Sequence, residues 1–245
     1  MLGGGTIVMR DVNVGALGIE GLVSLCRLGL DRIVTVGNVA RLGAFTTLAA
    51  VERHRALAAL RSAIESIGSP TLRSTATVGG NVCALYPGDL ATCLWALDAS
   101  VTVASRDGTK EKAVGDVITT GLGPAELVTE VSFRIPEANA WFYRKAMRRA
   151  LNSGSIVTIA AHVPVVDGAV TSPRVVIGGV AARPARALSA EKVLEGQPLT
   201  RAVVEKAAAA ALQDVSPVSD ALASAWYRSR VLPVHFRRAL LREGA

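Results

Sequence analysis

The chain has few aromatic residues, few cysteines and no long apolar run, and each shortage excludes a class of protein. Aromatic residues make up 4% of the 245 residues and no nucleic-acid-binding motif is present, so the net charge of +7 does not indicate a nucleic-acid partner. Cys26, Cys83 and Cys93 fit neither a disulfide framework nor a paired metal motif. No stretch approaches the roughly 18 uninterrupted apolar residues of a membrane span. Met1–Arg10 lacks the basic start and apolar core of a secretion signal. We therefore expect a cytoplasmic protein.

A recognisable set of catalytic residues is also missing. The three histidines are scattered along the chain, so spacing alone assembles neither a nucleophile triad nor a metal site. Acidic residues are plentiful, but nothing in the sequence shows which of them meet. The catalytic residues stay unknown, and no metal site is expected. Such a chain fits a protein whose bound cofactor supplies the chemistry.

Half of the residues are hydrophobic and 19% are charged, which is typical of a globular protein with one large domain or two modest ones. The pattern of elements changes near residues 136–140. Before this point strands and helices are mixed, and the last strand is predicted over Leu127–Ile135. After it, Trp141–Met147 and Ile156–Val166 are predicted as strands, with a hairpin turn at Asp167–Gly168. Alanine-rich helices follow over Leu188–Leu194, Thr200–Leu212, Asp220–Arg230 and Val234–Arg242. The pattern predicts an α+β fold with domains at residues 1–136 and 137–245.

Two glycine-rich segments are the most distinctive local features. The first is Gly3-Gly4-Gly5-Thr6, and the second is Thr77-Val78-Gly79-Gly80-Asn81. Adjacent glycines have no Cβ atoms, so backbone N–H groups can approach an anion closely and adopt positive φ. The hydroxyl of Thr77 and the amide of Asn81 can satisfy phosphate oxygens or brace the loop. The segments predict a phosphate-bearing ligand. The alternatives are a simple turn for the second segment and a frayed terminus for the first.

The densest basic segment is the carboxyl end, where arginines alternate with apolar residues in the pattern of an amphipathic helix. These arginines are Arg228, Arg230, Arg237, Arg238 and Arg242. The basic face is either simply solvated or a docking surface for an acidic partner subunit, and the sequence leaves both readings open.

In order and spacing, these segments resemble the FAD-binding (medium) subunit of molybdenum hydroxylases, the carbon monoxide dehydrogenase and xanthine dehydrogenase group. Leu2–Thr6 resembles the first flavin loop of that family, and Thr77–Asn81 resembles the second. Further similar segments are Gly88-Asp89-Leu90, Ala96–Ala99, Lys145 with Arg148-Arg149, and Ile177–Val180.

The resemblance implies an α+β fold in which an FAD-binding domain of that flavoprotein type precedes a small antiparallel sheet with a helical bundle. It implies that both glycine loops wrap the FAD diphosphate, that Asp89 lies near the ribose or flavin, and that Lys145 approaches the cofactor. The residues expected to bind FAD are Gly3, Gly4, Gly5, Thr6, Thr77, Val78, Gly79, Gly80, Asn81, Asp89 and Lys145.

The implied partners are a large subunit with the molybdenum cofactor and a small subunit with 2Fe–2S clusters. The chain would relay electrons from the clusters through FAD to an acceptor and would hold no metal itself. The family usually has a segment before the first flavin loop, so the resemblance also implies an incomplete amino-terminal lobe. This motivates an alternative, a flavin-domain relative that has lost its redox function and acts as a scaffold or biosynthetic pathway protein.

Overall fold

Two units make up the part of the chain that the computed structural model describes, which is residues 1–15, 21–84, 88–149 and 152–243. The first unit contains Met1–Leu90 and Asp98–Ile135. The second contains Ala91–Leu97 and Pro136–Ala245. None of the helices in the described ranges has the length and apolar character that crossing a bilayer demands.

The first unit is built on a five-stranded antiparallel sheet with the order β1-β2-β5-β3-β4. Its elements in chain order are α1 (Val8–Asn13), β1 (Ile33–Val36), β2 (Val39–Gly43), α2 (Leu48–Arg53), a 3-10 helix (Arg55–Leu60), α3 (Arg61–Glu65), α4 (Pro70–Thr75), α5 (Val78–Val82), the start of α6 (Asp89–Ala96), β3 (Ser100–Ser105), β4 (Gly108–Ala113), α7 (Val114–Thr120) and β5 (Leu127–Arg134).

The strand predicted over Leu127–Ile135 is present as β5, but its inward face changes phase. Val131 and Phe133 are buried at the expected spacing of two, whereas the next buried residue toward the amino end is Val128. The pairing of β5 with β3 shifts between Thr102 and Val103, which is the position of a β-bulge. One extra residue on one strand therefore accounts for the change of phase.

The second unit joins an antiparallel sheet with the order β11-β10-β7-β6 to carboxy-terminal helices. Besides the rest of α6, its elements are β6 (Trp141–Met147), β7 (Ser155–His162), β8 (Val165–Val166), β9 (Ala169–Val170), β10 (Arg174–Gly178), β11 (Ala185–Arg186), α8 (Leu188–Leu194), α9 (Arg201–Ala210), a 3-10 helix (Ala211–Asp214) and α10 (Ala225–Leu240). Ile159 and Ile177 of the sheet and Leu232 and Phe236 of α10 belong to one buried core. The predicted α+β fold, with an antiparallel sheet followed by helices, is confirmed.

Two details of the second unit differ from the prediction. The strand predicted over Ile156–Val166 ends at His162, and only Val165–Val166 continues, as β8. The predicted hairpin turn joins β8 to β9, and both Asp167 and Gly168 have positive φ, as a two-residue hairpin turn requires. The predicted helix break before Val234 is absent, because α10 continues through Pro233. Proline removes one backbone hydrogen bond there, and the buried face of α10 holds the helix together.

Helix α6 belongs to both units, since Asp89 and Leu90 lie in the first and Ala91–Leu97 in the second. Thr92 is almost fully buried, with 1% of its surface exposed. A Cβ atom at Gly178, the last residue of β10, would lie 2.7 Å from the Thr92 hydroxyl oxygen. The glycine therefore allows α6 to pack directly on the end of β10.

Candidate cofactor-binding site

The second glycine segment is the first turn of a helix rather than an open loop. Thr77 is the N-cap of α5, and its hydroxyl oxygen accepts a hydrogen bond of 3.1 Å from the backbone N–H of Gly80. The N–H of Val78 donates to the carbonyl of Thr46 (2.9 Å), and that of Gly79 donates to the carbonyl of Ala44 (2.8 Å). The N–H groups of all three helical residues therefore have partners within the protein.

These contacts correct the prediction that Gly79 and Gly80 offer N–H groups to an anion and adopt positive φ. Neither has a positive φ, and neither N–H is available to an anion in this arrangement. A Cβ atom at Gly79 would lie 2.9 Å from both the Cβ and the carbonyl oxygen of Ala44. At Gly80 it would lie 2.9 Å from the hydroxyl oxygen of Thr77. Gly79 is therefore needed for close packing of α5 on the segment that follows β2, and Gly80 leaves room for the N-cap hydroxyl of Thr77.

Helix α4, which leads into this segment, is held by a buried arginine. Arg73 is 7% exposed and its Nε lies 2.8 Å from Oε2 of Glu52 in α2. The same guanidinium donates to the carbonyls of Glu65 and Ile67, both at 3.2 Å. Because removal of one partner would leave a buried charge unpaired, this network fixes α4 and the Thr75–Thr77 connection that follows it.

The first glycine segment lies directly against that connection. A Cβ atom at Gly4 would overlap the carbonyl oxygen of Thr75, and a Cβ atom at Gly3 would lie 3.0 Å from the hydroxyl oxygen of Thr77. Leu2 is held in place by hydrogen bonds on both sides, with its N–H donating to Val23 (2.8 Å) and its carbonyl accepting from Leu25 (3.1 Å). The structure thus brings the two glycine segments together.

The first segment also has unused hydrogen-bond donors. Within the described ranges, the backbone N–H groups of Gly3, Gly4, Gly5 and Thr6 make no hydrogen bond, and all four residues are partly buried. Gly5 has φ +72°, a conformation that favours glycine. Consecutive N–H groups of this kind attract an anion. Of the glycine N–H donors expected from both segments, those of the first segment alone have no partner within the described ranges.

Both segments line one cavity of about 310 Å³ in the first unit. Gly3, Thr77, Gly79 and Gly80 form one part of its wall. Most of the remaining wall is apolar and comes from Met1, Leu25, Leu30, Ala44, Phe45, Leu122, Leu127 and Val128. A mostly apolar cavity with a few polar groups in its wall is typical of a small-molecule or cofactor site.

Glu126 is a cavity residue that sequence analysis missed. Lys112 Nζ lies 2.7 and 2.8 Å from its two carboxylate oxygens, and the N–H of Gly123 donates to Oε2 at 2.8 Å. The hydrogen bond from Lys112, followed by that from Gly123, lowers the pKa of Glu126, so its side chain is a carboxylate at neutral pH. Lys112 lies on β4 and Glu126 precedes β5, and no local motif links the two positions.

A second missed residue, Cys83, follows α5 and also lines the cavity. The residue is exposed, but the surrounding protein atoms desolvate its thiol and raise its pKa to about 11. The thiol is therefore neutral at pH 7, and it adds no negative charge beside the glycine segments.

The remaining predicted residues lie in three places. The Asn81 carbonyl accepts a hydrogen bond of 3.4 Å from the N–H of Gly88, and a Cβ atom at Gly88 would overlap the Asn81 side chain. Asp89 is the first residue of α6. Tyr86 and Pro87, in the predicted turn before it, lie outside the described residues. Lys145 lies on β6 of the second unit. The roles assigned to Asn81, Asp89 and Lys145 stay predictions.

Taken together, the fold of the first unit, its bare-backbone segments and its apolar cavity define a nucleotide-cofactor-binding protein. Residues 1–138 match the FAD-binding domain in molybdopterin dehydrogenase, and residues 141–242 match the C-terminal domain of CO dehydrogenase flavoproteins. The chain belongs to this family of FAD-binding subunits. The resemblance stated from the sequence is confirmed.

Individual relatives support the same assignment. The chain is 30% identical over 230 residues to the nicotine 6-hydroxylase medium subunit of Paenarthrobacter nicotinovorans, which covers 89% of this chain and 79% of that protein. It is 27% identical over 180 residues to the glyceraldehyde dehydrogenase medium chain of Sulfolobus acidocaldarius, over 71% of this chain and 64% of that one. Among solved structures, CO dehydrogenase from Oligotropha carboxidovorans superimposes with a TM-score of 0.92 at 28% identity, over 98% of this chain and 88% of the other.

FAD, the cofactor of this family, fits the site on three observations. Unused N–H groups at Gly3–Thr6 match the negative charge of a diphosphate. Gly4 keeps the backbone free of a side chain at its closest approach to Thr75. The apolar cavity beside both suits one ring system of the cofactor.

Proposed function

We propose that this chain holds FAD between its two glycine segments and relays electrons as the flavin subunit of a molybdenum hydroxylase complex. The observation that supports this most directly is the contact of the first segment with the Thr75–Thr77 connection at one cavity. Two segments far apart in the sequence meet where a single ligand would touch both. Membership of the FAD-binding family supplies the identity of that ligand.

The two segments have different roles in this proposal. The N–H groups of Gly3, Gly4, Gly5 and Thr6 donate to the diphosphate. Thr77, Val78, Gly79 and Gly80 form a packed wall beside it, in which the two glycines present no side chain. Asn81 is proposed to satisfy phosphate oxygens or brace the loop, Asp89 to lie near the ribose or flavin, and Lys145 to approach the cofactor.

FAD, when bound, supplies the capacity to accept and release electrons. The residues of the chain bind it, orient it and keep water from its rings. The Lys112–Glu126 ion pair holds the Gly123–Glu126 segment against the cavity, because Glu126 binds the N–H of Gly123 and the ammonium group of Lys112 at once. The carboxylate is compensated by Lys112, so it adds little repulsion toward an anionic cofactor.

The wider assignment follows from relatives that are named as medium subunits or medium chains. We propose a large subunit with the molybdenum cofactor and a small subunit with 2Fe–2S clusters as partners, and an oxidoreductase activity that belongs to the assembled complex. We further propose that residues 1–136 act as the FAD-binding domain and residues 137–245 as the carboxy-terminal domain. A cytoplasmic location agrees with three cysteines that are all free thiols.

An absorbance spectrum of the purified chain, with and without added FAD, tests the binding step. We expect flavin absorption that stays with the protein through gel filtration and is lost in Gly4→Val. Gly21→Val is the matched control, because a Cβ atom there has no neighbour within 4 Å. A wild-type chain that stays flavin-free after reconstitution would favour the scaffold alternative.

The relay step is tested by mixing the FAD-loaded chain anaerobically with its iron–sulfur subunit, reduced beforehand and freed of reductant. We expect the flavin absorption to bleach. Flavin that binds but stays oxidised beside the reduced subunit would contradict the relay while leaving FAD binding intact.

A further inference from the structure

Helix α10 exposes a row of large side chains that its packing does not require. Trp226, Arg230, Val234 and Arg238 recur every four residues, so they lie along one side of the helix. Trp226 is 69% exposed, and Tyr227 beside it is 44% exposed. We call these five residues the α10 stripe.

The buried side of α10 explains its fold without the stripe. Leu232 and Phe236 are fully buried and Leu240 is 2% exposed, and all three belong to the core of the second unit. An exposed tryptophan beside an exposed tyrosine is uncommon on a surface that faces only water. Trp, Tyr and Arg are the residues most enriched at the centres of protein interfaces.

The arginines of α10 form two groups, according to whether a carboxylate partner lies beside them. Arg228 is 2% exposed and pairs with Asp220 at 2.7 Å, and Arg237 pairs with Glu243 at 3.2 Å. Arg230 and Arg238 are exposed, and neither has a carboxylate partner within the described part of the chain. The helix itself contains no acidic residue. The first group therefore stabilises the unit, and the second presents uncompensated positive charge.

Aromatic and cationic groups are combined within the α10 stripe. The guanidinium of Arg230 lies over the ring of Trp226, 5.9 Å from its centroid, which is within reach of a cation–π contact. His235, next to the stripe, has its pKa lowered, first by desolvation and then by the charges of Arg144 and Arg238. It is therefore neutral at pH 7, and the positive charge of the surface comes from the arginines.

We propose that the α10 stripe is the docking surface for an acidic face of the iron–sulfur subunit, an inference that rests on the function proposed above. The stripe offers an aromatic anchor near its amino-terminal end, followed along the helix by two arginines with no carboxylate partner in the described part of the chain. Its complement is therefore an apolar pocket with carboxylates on one side. A 2Fe–2S cluster held by four thiolates adds net negative charge to the subunit that carries it. Of the two partners proposed, the iron–sulfur subunit is the one from which the relay takes electrons, so the relay requires it to dock on this chain.

The test measures binding of the FAD-loaded full-length chain to the purified iron–sulfur subunit by titration calorimetry at low and at physiological salt. The double variant Arg230→Glu/Arg238→Glu is expected to raise Kd by about tenfold or more, and Trp226→Ala by a similar factor. The wild-type affinity should fall as salt rises, because exposed charges are screened.

The matched control is Lys192→Glu/Lys206→Glu, which makes the same change in charge on α8 and α9 of the same unit, at exposed positions outside the stripe. Flavin content and thermal unfolding of every variant are measured alongside, to show that each is folded and loaded. Equal Kd values for stripe, control and wild-type chains would overturn the proposal, as would stripe-dependent binding of the molybdenum subunit or of acidic lipid vesicles in place of the iron–sulfur subunit. A loaded wild-type chain that is never reduced by the iron–sulfur subunit would instead contradict the relay.

Discussion

The two glycine segments have similar compositions but differ in how they use their backbone. In Gly3–Thr6 the N–H groups have no partner within the described ranges, whereas those of Val78, Gly79 and Gly80 are all bonded inside the protein. The first segment is thus a set of donors, and the second is a packed wall. Glycine is needed in the first for approach of the backbone to a ligand and to Thr75, and in the second because Ala44 and Thr77 leave no room for a side chain.

The largest effect is expected from Gly79→Val, which adds a side chain within the packed second segment. The new side chain would meet both the Cβ and the backbone oxygen of Ala44, so α5 has to move. We expect a loss of about 1–3 kcal/mol in the free energy of unfolding, together with loss of FAD, as measured by denaturant titration and flavin absorbance. Gly21→Val should change neither. A wild-type free energy of unfolding in Gly79→Val would show that α5 can move away from Ala44 without loss of stability.

Gly4→Ala should separate binding from stability. The added methyl group overlaps Thr75 and pushes the first segment away, but the N–H groups of Gly3–Thr6 make no hydrogen bond within the described ranges that this shift would break. We expect FAD affinity to fall about 10- to 100-fold, because hydrogen bonds to a charged group are lost. The free energy of unfolding should stay within about 1 kcal/mol. If Gly4→Ala instead unfolds the protein as strongly as Gly79→Val does, the distinction between donor and wall is wrong.

A smaller effect is expected at Thr77, which touches both segments. Thr77→Ala removes the N-cap of α5 and should cost about 1 kcal/mol of stability, with a modest loss of FAD affinity as Gly80 loses its bond. Thr77→Ser keeps the hydroxyl oxygen and should behave like the wild type. Thermal unfolding and fluorescence titration of FAD compare the two variants. Equal stability and equal FAD affinity of Thr77→Ala and Thr77→Ser would show that the N-cap contributes to neither.

The smallest effect is expected at Glu126, in the part of the cavity wall that belongs to neither segment. Its pKa is lowered in the folded protein, so the stabilisation it contributes is complete above its ordinary pKa of about 4.3 and is lost as pH falls through the lower, folded value. Glu126→Gln should therefore flatten the decline of Tm on acidification below that pH. Glu111→Gln, an exposed change on β4, is the control. If the Tm of Glu126→Gln falls on acidification as steeply as that of the wild type, groups other than Glu126 cause the decline.

The sequence revealed which segments bring their backbone to the site, but not which of their N–H groups are bonded within the protein. The strand predicted over Trp141–Met147 is present with the same bounds as β6. Helix α5 was missed, since it has five residues of which two are glycine, a poor helix former. Its amino-terminal end is fixed by the carbonyls of Ala44 and Thr46, which are distant in sequence. The Lys112–Glu126 pair was missed for the same reason.

The carboxyl end shows the same limit. Alternation of arginine with apolar residues predicted a basic helical face, and left open whether that face is solvated or binds a partner. Only the structure separates Arg228, which is buried on Asp220, from Arg230, which lies over Trp226 in the open. Periodicity identifies the basic face of a helix. Whether an arginine on that face is paired depends on residues that other parts of the chain bring next to it.

The division of α6 between the two units has a consequence for biosynthesis. Ala91–Leu97 leaves the ribosome well before β7 and β10, the strands that complete the second unit around it, have been made. Domains usually fold in the order of synthesis, but here part of the later unit must wait, with apolar side chains such as Leu94 uncovered. A truncated chain that starts after residue 136 would lack this helix, and a vacant slot would remain where Thr92 meets Gly178. Supplying α6 as a separate peptide is the direct route to rescuing such a fragment.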